Sequence, residues 1–482
     1  MKAARDDAAA ALRIAVVGHT NAGKTSLLRT LTRRIDFGEV SEQPGTTRHV
    51  EAIDLRIDGR AAVRFLDTPG LEDAVALLAH VATLPGGTRI ERVRQFLQGP
   101  EARGHFEQEA KVLRALLDQC DAAFVVIDTR APLLPKYRDE LELMAACGRP
   151  LMPVLNFVRD TATRERDWRT LLAEAGLHAV VRFDAAAPFT GAERELYTDL
   201  GTLLPGRREA LRAVVRHLAL EAAGRRDEAC RLIAGLLVDC AAMREAVDAT
   251  DWDDPARRQQ AIEQLRERAR TRVQRGIDAL LALYGFRAGD AAEAPLPVLE
   301  GRASMDLFNP QTLKTAGLHL GGGAAVGAAI GIVADLAVGG ASLGAGAALG
   351  GALGGALAQG WGPFGRRVLG RLRGVHELSV EEAALYVMAQ SQLALVLALE
   401  RRGHGALAAP VDVAGAEAAP PAALADAVHA TRPARAHAEW ARNASLRERW
   451  TGSSASGERQ AVLDEVARAL GAAAQALDTQ AS

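Results

Sequence analysis

Leu12-Arg13-Ile14-Ala15-Val16-Val17 runs directly into Gly18-His19-Thr20-Asn21-Ala22-Gly23-Lys24-Thr25, and the residues after Lys24 take up helical spacing. An apolar strand, a loop of the form GxxxxGK[ST] and a helix, in that order, build a cradle for polyphosphate. Glycines let backbone N–H groups wrap the phosphates, and the helix N-terminus adds a favourable dipole. Lys24 is placed to neutralise charge at the β- and γ-phosphates, and the Thr25 hydroxyl to bind magnesium. Gly18, Asn21, Ala22, Gly23, Lys24, Thr25 and Ser26 are therefore the candidate phosphate-binding residues. An accidental Gly-rich turn is the bland alternative, and the flanking strand and helix make it negligible.

Outward from this loop, short β-rich runs at 12–17, 50–57, 63–66, 123–127, 151–157 and 180–183 alternate with helical patterns. The helical candidates follow Lys24 and lie at 107–119, 136–147, 164–175 and 192–204. This alternation predicts an α/β fold, a doubly wound and mostly parallel sheet over 12–205 after an N-terminal tail at 1–11. Residues 71–106 are too long for an ordinary loop and carry a Pro-Gly-Gly break at 85–87, so they are predicted to be an inserted helical excursion. Beyond 205 the strand signals stop. Arg/Glu/Ala/Leu-rich text predicts a helical region at 206–300, then a Gly/Ala-rich hydrophobic helical hairpin at 301–375. A helical C-terminal region at 376–482 follows, with a flexible Ala/Pro-rich segment at 403–435.

Two further motifs sit at useful distances from the loop. Asp67-Thr68-Pro69-Gly70 ends the 63–66 run, which places a carboxylate beside a metal and a glycine N–H near a γ-phosphate. Pro44-Gly45-Thr46-Thr47-Arg48 lies between the first helix and the next strand, where a hydroxyl or carbonyl can complete a magnesium shell.

Together, GHTNAGKT, PGTTR and DTPGL resemble the Era/TrmE branch of bacterial translation-factor-class GTPases, over residues 12–204. The resemblance implies a magnesium-dependent GTPase with GTP and GDP as ligands. It assigns magnesium to Thr25, Thr47 and Asp67, and catalytic roles to Lys24, Thr47 and the γ-phosphate-sensing Gly70. Leu71 stands where Ras-like proteins keep a water-orienting glutamine, which predicts slow basal hydrolysis. Relatives that respond to potassium carry an asparagine in this loop, and Asn21 matches it. Potassium, with dimerisation across the nucleotide face, is therefore expected to supply transition-state charge. The family reads guanine with NKxD, whereas this chain has Asn156-Phe157-Val158-Arg159-Asp160. Asn156 fits, Arg159 takes the aspartate position, and Asp160 can substitute only if the loop bulges.

Composition bounds the remainder. The 482 residues suffice for two or three domains, and 58 Lys+Arg against 60 Asp+Glu give a net charge of −2 with no global pull towards nucleic acid or an anionic membrane. Cys120, Cys147, Cys230 and Cys240 form no CxxC pair, so neither a disulfide framework nor a zinc site is expected. The N-terminal residues lack the long apolar core of a secretory signal. The expected location is the cytoplasm, peripheral to or inserted at the inner membrane.

The membrane expectation comes from the stretch between Lys314 and Arg366, where Asp335 is the only Asp, Glu, Lys or Arg. Gly323, Gly327 and Gly331, and again Gly346, Gly350 and Gly354, recur every fourth residue, a pattern for close helix packing. Arg366, Arg367, Arg371 and Arg373 form a basic flank. Membrane contact through 318–360 is weighed against a helical pair buried in soluble protein. Two other functions compete with a membrane-associated switch. A ribosome- or RNA-associated GTPase is disfavoured because the C-terminal part shows no aromatic-plus-basic surface. A non-hydrolysing nucleotide-sensing scaffold is the other.

Overall fold

The computed structural model describes residues 11–33, 50–185, 191–285, 375–400, 422–441 and 456–481, with Phe308, Leu313, Thr315, Ala316, Leu320 and Ile332–Asp335. They divide into two compact units, the first reaching Ala223 and the second starting at Gly224.

In the first unit β1 (Leu12–Val17), β2 (Glu51–Ile57), β3 (Arg60–Asp67), β4 (Ala122–Asp128), β5 (Leu151–Asn156) and β6 (Val181–Arg182) form one sheet in the order β2-β3-β1-β4-β5-β6. Only β2 runs antiparallel, and the sheet is otherwise parallel, as the alternating pattern predicts. β4 and β5 are buried almost throughout because helices cover both faces. Along β1, Ile14 and Val16 enter one core with Leu27, Phe65 and Phe124, while Ala15 and Val17 enter the other with Leu77, Phe96 and Leu113. The period of two divides one strand between two cores. β2 matches its run to within one residue, and β3 is longer than the apolar run at 63–66 alone suggests. Asp58-Gly59 joins them with φ of 49° and 77°, the left-handed pair that a tight hairpin with right-twisted strands requires.

The helices are α1 (Lys24–Thr32), α2 (Ala74–Thr83), α3 (Arg89–Gln98), α4 (Glu107–Arg114), α5 (Lys136–Ala145), α6 (Glu165–Glu174) and α7 (Ala192–Leu203). The expected excursion at 71–106 holds α2 and α3. Asp73 caps α2, and a Thr88/Glu91 capping box starts α3. Phe96 packs edge-on against Phe106 and ties the excursion into the core. The first unit continues past residue 205 because Leu211, Val214 and Leu218, on the first turns of α8 (Arg208–Ala242), complete the core against Phe65 and Leu196.

The second unit is mostly helical, with α9 (Pro255–Leu283), α10 (Glu382–Glu400), α11 (Ala422–His429) and α12 (Ser456–Ala481). Asp254 caps α9 and Pro255 opens it, since a first-turn proline forfeits no helical hydrogen bond. In the core Asp239 receives Arg272 at 2.7 Å and Arg459 at 2.8 Å, so the buried carboxylate is paired twice.

Three sequence expectations require correction here. The segment expected to be flexible at 403–435 is ordered from Ala422, because Leu424, Ala427 and Val428 on α11 enter the core of the second unit. Strands do not stop at residue 205, because β7 (Arg244–Asp248), β8 (Ile332–Asp335) and β9 (Val375–Val380) form an antiparallel sheet in the order β7-β9-β8. The expected helical hairpin at 301–375 also fails at Ile332–Asp335, where β-branched Ile332 and Val333 pair with Val380 and Ser379 as a strand. Most of the glycine-zipper stretch at 318–360, both glycine triplets included, lies outside the described residues. Among the described residues one helix, α10, is long and apolar enough to cross a membrane, and it is largely buried in the core of the second unit.

Candidate functional site

The loop between β1 and α1 owes its shape to residues without ordinary backbone demands. Gly18 and Gly23 have φ of 141° and 91°, and Asn21, a residue tolerant of left-handed backbone, has 66°. A Cβ on Gly18 would meet the Val126 carbonyl oxygen at 2.4 Å, and one on Gly23 would meet Asn156 Nδ2 at 2.3 Å. Both glycines are needed for close approach as well as for turning. α1 begins at Lys24 immediately after this turn.

The Lys24 side chain folds back under the loop, donating from Nζ to Gly18 O at 3.3 Å and His19 O at 3.1 Å. It is buried, and burial pulls its pKa below the usual lysine range while Asp67 and Glu140 pull it back up. Thr25 Oγ1 donates to Asp67 Oδ2 at 2.7 Å. Asp67 ends β3 and is 1% exposed. Burial raises its pKa to about 6 against the hydrogen bond from Thr25 and the charge of Lys24. Its other oxygen, Oδ1, is buried without a hydrogen-bond partner. A hydroxyl, a paired carboxylate oxygen and an orphaned one fit an octahedral, oxygen-seeking cation such as magnesium. Of the expected magnesium residues, Thr25 and Asp67 are thus brought together. Thr47, with the whole of Pro44–Arg48, lies outside the described residues.

Gly70 sits against the loop. A Cβ there would stand 2.3 Å from Thr20 Oγ1 and 2.8 Å from Thr20 N. Leu71 makes a parallel bridge to His19, and its side chain is fully buried in the core. The position therefore offers no polar group to a water molecule.

At the opposite end, Asn156 binds protein on both sides of its amide. Nδ2 donates to Ala22 O at 3.0 Å, and Oδ1 accepts from Phe157 N at 3.0 Å and Ala185 N at 2.9 Å. It clamps the phosphate loop to the segments after β5 and β6. Phe157 has φ of 58°, and the turn after it closes with Asp160 N donating to Phe157 O at 3.2 Å. Asp160 stays partly exposed, with Oδ1 accepting from Ala162 N at 2.8 Å. Arg130 lies between them, its guanidinium 3.7 Å over the Phe157 ring and bonded through two nitrogens to Asp128 at 3.0 and 2.8 Å. Ser26 follows Thr25 on α1 and Ala22 is buried under the loop.

Sequence reasoning missed a polar chain behind the loop. His19 Nδ1 lies 2.9 Å from Glu140 Oε1, and Lys136 Nζ lies 3.1 Å from His19 Nε2. His19 and Glu140 border a cavity of about 90 Å³ between the loop and α5, lined on its apolar side by Val125, Leu141 and Trp168. That volume is on the order of a few waters, far below a nucleotide. The signal that could have found them is the Lys136/Glu140 spacing of four, which puts both on one face of α5.

The sheet order, the loop and the Thr25–Asp67 pair define the first unit as a P-loop GTPase domain. Residues 13–157 match the family model described as 50S ribosome-binding GTPase. Residues 169–468 match the model described as Domain of unknown function (DUF3482), and the chain belongs to that family. GTPase Der of Xanthomonas oryzae pv. oryzae is 38% identical over 133 residues, covering 26% of this chain and 27% of that protein. GTPase Der of Stenotrophomonas maltophilia is 33% identical over 170 residues, covering 33% and 35%. The tRNA modification GTPase MnmE of Rhizobium meliloti is 38% identical over 95 residues, 20% of this chain and 21% of that one. The chain thus spans about a quarter to a third of the length of the Der proteins it matches. Among solved structures, Era in complex with MgGDPNP and nucleotides 1506–1542 of 16S ribosomal RNA is similar with a TM-score of 0.27 and 21% identity. It covers 36% of this chain and 51% of that one.

Proposed function

We propose that the chain binds guanine nucleotide with magnesium and hydrolyses GTP to GDP and phosphate, as a nucleotide-dependent switch. The observation that carries this reading is the buried Lys24 beside the Thr25–Asp67 pair with its orphaned Oδ1. Loop N–H groups and Lys24 hold the β- and γ-phosphates and neutralise them, and Thr25 and Asp67, with Thr47, hold the metal. Magnesium, when bound, stabilises charge on the phosphate oxygens. The Gly70 N–H, beside Thr20, is the group that senses the γ-phosphate.

Leu71 cannot orient the attacking water, so basal turnover is slow, and potassium at Asn21 supplies the missing positive charge. Asn156 places the loop, while Asp160 and the Phe157–Arg130 stack face the base. Phosphate release from GTP and from ATP, each in potassium and in sodium, tests the reading. We expect GTP turnover several-fold faster in potassium, and ATP competing at least about tenfold more weakly than GTP. Equal rates in the two salts would remove potassium and with it the reason for a dimer across the nucleotide face. Equal competition would remove the guanine preference, and the absence of phosphate release would leave a nucleotide-sensing scaffold.

The Gly/Ala-rich composition of 318–360, with its basic flank, supports a membrane partner for the switch. Flotation of the full chain with anionic vesicles should carry it to the top of a gradient, and a chain lacking 318–360 should stay below. Identical soluble behaviour of both rejects the membrane reading. In that case the ribosome named in the matched model's description becomes the better partner.

A further inference from the structure

Immediately after Gly70 the chain does not swing free. Leu71 is bridged to His19 of the phosphate loop, and Asp73 caps α2 through Ala76 N at 3.0 Å. Between these ties, Glu72 N and Asp73 N both donate to one carboxylate oxygen, Glu109 Oε1, at 3.1 and 2.9 Å. Glu109 lies in the first turn of α4, more than thirty residues further along the chain, and is 3% exposed. A buried carboxylate in a helix's first turn that accepts two backbone N–H groups is in a favourable place for its charge and fixes the peptide it holds. Nothing in the phosphate chemistry uses Glu109. What it holds is the backbone of Glu72 and Asp73, two and three residues beyond the glycine assigned to the γ-phosphate.

We infer that Glu109 is a positioning residue that fastens the backbone of Glu72 and Asp73 to α4. It thereby fixes Gly70 for the γ-phosphate and couples the nucleotide state to α4 and, through Asp73, to the inserted helix α2. The inference rests on the GTP-hydrolysis reading for its rate effect, but the coupling itself has a readout that does not need turnover. A γ-phosphate drawing on the Gly70 N–H pulls, through Leu71, on the peptides that carry Glu72 N and Asp73 N, and Glu109 Oε1 is their common anchor. The displacement therefore reaches α4 directly. Glutamine keeps a carbonyl oxygen where Oε1 stands and retains both acceptor contacts, whereas alanine removes them.

The experiment uses the full chain as wild type, Glu109→Ala and Glu109→Gln. Phosphate release should show kcat lowered about fivefold to tenfold in Glu109→Ala with KM for GTP within about twofold, because the bond acts on geometry at the transition state more than on ground-state binding. Glu109→Gln should return kcat to within about twofold of wild type. Amide hydrogen exchange is followed in parallel, with GDP and with a non-hydrolysable GTP analogue. In wild type, residues 107–114 should exchange differently with the two nucleotides. In Glu109→Ala that difference should vanish while residues 72–73 exchange at least about tenfold faster.

If wild type releases phosphate and Glu109→Ala matches it in kcat, the positioning role is overturned and hydrolysis stands. If kcat and KM shift together with a drop in Tm that Glu109→Gln does not repair, the bond is merely structural and the inference is again overturned. If wild type releases no phosphate, the hydrolysis reading fails and exchange alone decides. A nucleotide-dependent difference at 107–114 that disappears in Glu109→Ala then supports the coupling, and equal exchange with both nucleotides overturns it.

Discussion

Lys24→Ala is expected to weaken binding of every guanine nucleotide by at least about 100-fold, which is close to 3 kcal/mol. The lysine is buried, with its ammonium held by the Gly18 and His19 carbonyls. Carbonyl dipoles alone do not balance an ammonium in such a place, and burial depresses its pKa while Asp67 and Glu140 hold it up. The site is thus built around a cation awaiting an anion. Polyphosphate gives it charge-assisted hydrogen bonds of the stronger kind, and alanine leaves phosphate charge facing neutral backbone. Titration of a fluorescent GTP analogue against wild type and variant measures the loss. The empty variant should keep its fold, since it removes a buried charge and leaves the Thr25–Asp67 bond in place. Lys24→Arg should bind almost as poorly, because a planar guanidinium with five donors does not fit a space shaped by two carbonyls. Unchanged affinity in Lys24→Ala would overturn the phosphate site and everything placed around it.

How much of this was legible in the sequence varies with how local its cause is. β1, β4 and β5 were readable because central parallel strands are buried on both faces and so appear as unbroken apolar runs. The phosphate loop was readable because glycine, lysine and threonine act at fixed short spacing. Asp58-Gly59 carried a hairpin signal that fixes the end of β2 and the start of β3, and the apolar run at 63–66 alone stopped short of it. β7 and β9 were not readable. REAVD and VHELSV mix charged and apolar residues as a helix surface does, and Arg244 finds Ser379 only across more than a hundred residues of chain. Tertiary pairing there overrides propensity. The candidate site divides in the same way. Lys24, Thr25 and Asp67 announce themselves by motif, and the structure joins the last two at 2.7 Å. Glu109 has no motif at all, because its role depends on a fold that brings α4 back to Glu72 and Asp73. Asn156 was readable as a residue, but its clamp on Ala22 O and Ala185 N was not.

Asp67→Asn is expected to have opposite effects on stability and on activity, and pH separates them. Burial raises the folded-state pKa of Asp67 from 3.8 to about 6, outweighing the hydrogen bond from Thr25 and the attraction of Lys24. A carboxyl whose pKa is raised by folding favours the folded state in its neutral form. Its contribution is complete below about pH 4 and is lost as pH rises through about 6, an effect on the order of 3 kcal/mol from a shift of about two units. At pH 8 the nucleotide-free protein therefore carries an ionised, buried carboxylate with Oδ1 unpartnered. Asparagine keeps an oxygen for the Thr25 hydroxyl and brings no charge, so nucleotide-free Asp67→Asn should melt several degrees above wild type at pH 8 and close to it at pH 4.5. The metal reverses the preference. Magnesium needs the ionised carboxylate, so magnesium-dependent nucleotide affinity in wild type should fall as pH drops below about 6, and Asp67→Asn should lose at least about 100-fold in magnesium-stimulated GTP turnover. Melting curves of both proteins at the two pH values, with phosphate release at pH 8, measure all of this. A Tm difference that does not change with pH would show that Asp67 is not held as a strained carboxylate. Wild-type turnover in Asp67→Asn would show that the metal is held elsewhere, because the oxygen left beside Thr25 in that variant is a neutral amide and a poor partner for a divalent ion.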